Sequence, residues 1–124
     1  MWQNQIRRHS YGCSFALGLV CHDSIAEGPE VYGPDGIALD VHGNIYAVLV
    51  LQSKLVKIDP VDGHVTEILT VVDGLDEPAS LAFGTGKGER LSVFFTNFSV
   101  MEPHTGHGPA ILKIDVGVPG LPLP

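Results

Sequence analysis

One strand-and-turn pattern runs through this chain twice and then stops, and no other feature constrains the fold as tightly. Gly33-Pro34-Asp35-Gly36-Ile37-Ala38-Leu39-Asp40 leads into Gly43-Asn44-Ile45-Tyr46-Ala47-Val48. Leu55-Val56-Lys57-Ile58-Asp59-Pro60 and Gly63-His64-Val65-Thr66-Glu67-Ile68 complete the first copy. The second opens at Glu77-Pro78-Ala79-Ser80-Leu81-Ala82-Phe83-Gly84 and continues through Val93-Phe94-Phe95-Thr96-Asn97 and Ile111-Leu112-Lys113-Ile114-Asp115. Apolar residues alternate with period two, the spacing of a strand whose side chains point to opposite faces.

The copies are offset by 44 residues at Pro34 and Pro78 (78 − 34). The offset widens to 48 at Ile45 and Val93 (93 − 45) and to 56 at Ile58 and Ile114 (114 − 58). Insertions at Gly84-Thr85-Gly86-Lys87-Gly88 and from Met101 to Pro109 account for the drift. Extra residues are tolerated in connections. A period near 44 is that of four short strands, one blade of a β-propeller. The expected fold is therefore all-β, about two four-stranded blades, part of a six-bladed ring. Residues 1–32 read as an irregular lead and 33–124 as the two-blade segment. A propeller normally closes with about four to eight blades.

The 124 residues carry a net charge of −7 with only seven Lys and Arg, so no basic face is available for phosphates and nucleic acid is excluded as a partner. No apolar run reaches the length of a membrane span. Arg7-Arg8 followed by Phe15-Ala16-Leu17-Gly18-Leu19-Val20-Cys21 has the order of a short signal peptide with a cut after Ala26; the other reading is a plain lead into the first blade. Cys13 and Cys21 lie eight apart, which is neither a redox nor a zinc spacing, and both a disulfide and two free thiols fit it. Cys21-His22-Asp23 is too closely spaced for its side chains to converge on one ion.

The first copy resembles a late blade of the SMP-30/gluconolactonase/regucalcin family in its Pro34-Asp35-Gly36 opening, its Gly43-Asn44-Ile45-Tyr46 turn and strand, and Lys54-Leu55-Val56-Lys57-Ile58-Asp59-Pro60. The second copy and the Gly108–Gly120 stretch are similar to that family's last blade and tail. Non-catalytic NHL-like propellers share the general pattern. The resemblance implies a six-bladed propeller binding a divalent cation, Ca2+ or similar, at the mouth of its channel and hydrolysing lactones or related esters. It carries one functional residue onto this chain, Asp35, as metal ligand and catalytic proton acceptor. The family's remaining ligands come from blades that would lie upstream. A hard cation wants six to eight oxygens, so Asp35 needs partners from elsewhere. An ion held there would polarise a lactone carbonyl and acidify the attacking water. The plain alternative is a turn in which Asp35 bonds nearby backbone N–H groups.

Other candidates read as structural. Ser80 lacks a neighbouring base and a Gly-x-Ser-x-Gly elbow, which makes it a strand hydroxyl. Asn97 ends a strand, facing a channel or a turn. His104 and His107 sit in a Pro/Gly loop without a third ligand. Gly84–Gly88 lacks the Walker spacing of a phosphate loop. Asp73, Asp76 and Glu77 read as a solvated turn.

Blades pack on neighbours through both faces, so two blades share one interface and leave two faces open. Ile45, Val48, Leu81, Phe83, Phe94 and Ile111 are expected on those open faces. Three arrangements would cover them: the remaining blades of a longer propeller, self-association such as a homotrimer of six blades, or residues 1–32. The first is favoured, because the Pro- and Gly-rich run from Val116 to Pro124 reads as a natural terminus of a longer chain.

Overall fold

The computed structural model describes residues 23–101, 103 and 108–123. The sites considered at Cys13, Cys21, His22, His104 and His107 fall outside these residues. Strands β1 (Pro34–Leu39), β2 (Ile45–Leu49), β3 (Lys54–Ile58) and β4 (Val65–Leu69) form one antiparallel meander in the order β1-β2-β3-β4. Strands β5 (Pro78–Phe83), β6 (Ser92–Asn97) and β7 (Ala110–Asp115) form a second. The repeat extends to its irregularities. β1 slips register between Pro34 and Ile37, and β5 slips between Pro78 and Ser80.

The second sheet has three strands among the described residues, not the four expected. After β7 the Asp115 carboxylate accepts a bond from the Gly117 amide at 2.7 Å, and Gly117 turns the chain with φ 73°. The Pro- and Gly-rich tail does not run on as a fourth strand and returns to the first sheet instead. There the Val41 amide donates to Pro119 O (2.9 Å) and the Leu121 amide to Leu39 O (3.0 Å), while Asp40 and Gly120 form an antiparallel bridge.

The β1–β2 hairpin is built on Asp40, a residue the sequence reading passed over. Its carboxylate is fully buried. It accepts the His42 amide (2.9 Å), the Asn44 amide (3.0 Å), the Asn44 side-chain N–H (2.9 Å) and the Tyr46 hydroxyl (3.3 Å). Burial by itself pushes this carboxyl up. The bonds from Asn44, His42 and Tyr46 favour the ionised form and outweigh it, so the group lies below the ordinary Asp value. Burial, together with the Asp40 charge and hydrogen bond, pushes the Tyr46 phenol up to about 12. Gly43 turns the chain there with a positive φ of 83°.

The core lies between the sheets. Tyr46, Val48 and Leu55 of the first meet Leu81, Val93 and Phe95 of the second, with Leu75 from the connection. The Tyr46 and Phe83 rings meet edge to face, centroids 5.3 Å apart. Val48 and Leu81, expected on open faces, are buried in this shared interface: the register puts Tyr46, Val48 and Leu55 on the side of β2 and β3 that meets β5. Ile111 does remain exposed, at 73%. The opposite face of the first sheet buries Ala47, Leu49, Val56 and Ile58, and Ala26 and Val31 of the lead pack against it. A short 3-10 helix, Pro29–Val31, presents Val31, and the Gln52 side-chain amide ties it down by donating to Pro29 O and Tyr32 O.

Candidate functional site

β1 and β5 lie side by side as the innermost strands, and Gly36 lets them touch. A Cβ at Gly36 would come within 3.0 Å of Ser80 Cα, so the repeat-equivalent positions 36 and 80 face each other backbone to backbone. Ser80 is exposed and remains a strand hydroxyl. Asp35 sits one residue ahead of this contact, inside the β1 bulge, with an exposed side chain.

The connections at the same end of the sheets converge on a buried polar cluster. The Asn97 side chain donates to Gly74 O (2.9 Å) and accepts the Asp76 amide (3.0 Å). The Ser99 hydroxyl donates to the Asp76 carboxylate (2.5 Å). The Glu77 carboxylate accepts the amides of Val100 (2.6 Å) and Met101 (2.7 Å) through one oxygen, and the Glu77 amide donates to Ser53 Oγ (3.0 Å). Asp76 and Glu77 were expected in a solvated turn; both are buried, because the 98–101 segment folds back over them. Asp73 is exposed and, with Thr70, closes a capping box on the 3-10 helix Val71–Asp73.

Three non-glycine residues at this end, Ser53, Glu77 and Ser99, hold left-handed φ values near 50°. Such conformations are sparsely populated and persist where surrounding bonds over-determine them. Glu77 matches Gly33 of the first copy by the 44-residue offset, and both precede the proline that opens an inner strand. Gly33 takes φ 76° at low cost. Glu77 takes the strained conformation with a side chain that grips the next loop. The signal that would have found it is that position: an acidic residue where the repeat places a glycine.

Asp35 is not joined to this cluster by any hydrogen bond. Among the described residues no three His, Cys, Asp or Glu side chains come close enough to hold a metal ion. Gly84–Gly88 forms the β5–β6 connection, where a Cβ at Gly84 would strike Glu89 O at 2.5 Å.

No family model matches this sequence, and no curated protein does. Among solved structures the chain is similar to the PQQ-bound aldose sugar dehydrogenase of Streptomyces coelicolor, at 18% identity and a TM-score of 0.50. The match covers 80% of this chain and 33% of that one. That protein is a β-propeller, and likeness at this identity speaks to fold alone. Two antiparallel meanders packed through their faces, inner strand beside inner strand, are thus neighbouring blades of a partial β-propeller spanning a third of the solved relative's length.

Proposed function

We propose that the chain serves as a two-blade segment of a β-propeller of the gluconolactonase type, inactive alone, whose Asp35 contributes one oxygen to a divalent-cation site completed by further blades or further copies. The supporting observation is the position of Asp35. It projects from a bulge at the end of an innermost strand and is exposed, so its carboxylate is accessible to an ion. The reaction of such an assembly is metal-assisted hydrolysis of a lactone or ester, with the ion polarising the carbonyl and Asp35 accepting a proton from water. A single carboxylate meets a small part of the coordination demand of Ca2+, so the isolated chain is expected to bind it only in the millimolar range. Calcium calorimetry on the chain and on its Asp35→Asn variant tests this. The variant is expected to lose the weak site, and equal affinity in both proteins would remove Asp35 from any metal role.

A second reading, a non-catalytic NHL-like binding module, is favoured by the buried cluster. The Asp76 and Glu77 carboxylates, at the same end of the sheets as Asp35, are engaged in holding the 98–101 segment. Lactone hydrolysis by an assembled form, lost in Asp35→Asn, would decide for the enzyme.

A further inference from the structure

At the opposite end of β1 and β5 from Asp35, the returning tail encloses a groove of about 660 Å3. Pockets of about 300–1,000 Å3 suit small organic ligands when they are mostly apolar with a few placed polar groups. This groove has that composition. Ile37, Leu39, Phe83, Leu121 and Leu123 line it, and Ile37 and Leu123 are 61% and 78% exposed. Arg90 is the one cationic residue of its lining, which holds no acidic residue, although the whole chain carries a net charge of −7.

The rim and floor are held in place. The Arg90 carbonyl accepts the Gly120 amide (3.2 Å), which fixes this corner against the tail. Glu89, next in sequence, turns away toward Lys113, with 3.9 Å between its carboxylate and the ammonium. Arg90 has no ion pair among the described residues. The tail cannot sink further into the groove, since Gly120 already lies where a Cβ would be 2.3 Å from Phe83.

We propose that this groove binds a small amphipathic monocarboxylate, its hydrocarbon chain on Ile37, Leu39 and Phe83 and its carboxylate on the Arg90 guanidinium. One planar, always-charged fork matches one carboxylate. The apolar wall supplies the rest of the affinity and favours longer chains. The groove is separate from the Asp35 end and does not depend on the cation reading.

Calorimetry of the full chain with octanoate, decanoate and decylammonium, all below their micelle concentrations, tests the proposal. Decanoate is expected to bind one per chain and about tenfold or more tighter than octanoate, from two further buried methylenes. Decylammonium is expected to bind at least tenfold more weakly than decanoate. Arg90→Gln should erase the preference for the carboxylate while leaving the chain-length trend. Ala82→Trp, at an exposed position in the groove lining, should abolish binding with an unchanged circular dichroism spectrum. Unsaturable decanoate binding, a carboxylate preference that survives Arg90→Gln, or binding that survives Ala82→Trp would each overturn it. A dimer in sedimentation that Ala82→Trp converts to monomer would do the same, because a second copy would then occupy the groove.

Discussion

Phe95→Ala is expected to destabilise the chain by about 3–5 kcal/mol, the usual cost of emptying an aromatic site in a packed core. Phe95 stands between Leu81 and Leu112 in the register of the second sheet and is buried in the cluster shared with Tyr46, Val48 and Leu55. Truncation leaves a void that backbone ladders on either side cannot close. Domains have about 5–15 kcal/mol in total, so this one change removes a large share. Thermal unfolding followed by circular dichroism should show the midpoint fall by on the order of 20 °C. A loss under about 1 kcal/mol would mean that the two sheets do not pack face to face. Ile111→Ala, on the exposed face of β7, serves as the control and is expected to change stability by less than about 0.5 kcal/mol.

Asp40→Ala is expected to cost about 3 kcal/mol. The substitution removes the shared acceptor of two amides, an amide side chain and a phenol. It leaves the buried Tyr46 hydroxyl without its partner, and each buried unsatisfied donor costs about 1–3 kcal/mol. Asp40→Asn should recover part of the loss, because its carbonyl oxygen still accepts some of these bonds without a charge. Urea unfolding of the three proteins at neutral pH measures the order.

The same hairpin shapes the pH profile. Asp40 has a folded-state value below its ordinary 3.8, so its contribution is present above that pH and is lost as pH falls through the lower folded value. Tyr46 has a folded-state value raised from 10.0 to about 12, so its contribution is present below pH 10 and is lost as pH rises toward 12. Stability is therefore expected to form a plateau between roughly pH 5 and pH 9 with a fall on each side. Asp40→Ala should flatten the acid limb and shrink the alkaline one, since the Asp40 charge and bond contribute to holding the Tyr46 phenol neutral. An acid limb unchanged by that substitution would place the responsible carboxylate elsewhere.

The inner strands were legible because period-two alternation and the Pro-opened repeat are local properties. Pro34 and Pro78, 44 residues apart, do open equivalent strands, and both strands slip at the same place. The Asp59-to-Gly63 hairpin is equally local. Its two carboxylates bond amides two residues onward, Asp59 to Val61 and Asp62 to His64. Asp40 was harder to see. Its role depends on Tyr46 arriving from the next strand, which a turn motif by itself does not require.

Residue chemistry alone separated the face-directed side chains of each strand, since a pleated backbone sends neighbours to opposite sides. Which of those sides met another sheet was decided only in three dimensions. Val48 and Leu81 had no local mark distinguishing a shared interface from an open face, and they became core because the first sheet docks on the second across Gly36 and Ser80. Asp76 and Glu77 read as surface acids until the segment after Asn97 folded over them and supplied donors. The tail shows the same division. Its prolines and glycines read as a terminus after a fourth strand, yet the ladder ends at β7, and the destination at Leu39 and Val41 was set by backbone groups some 80 residues away in sequence. Local stereochemistry is written residue by residue. Burial belongs to pairs of surfaces, and the pairing exists only once the chain has folded.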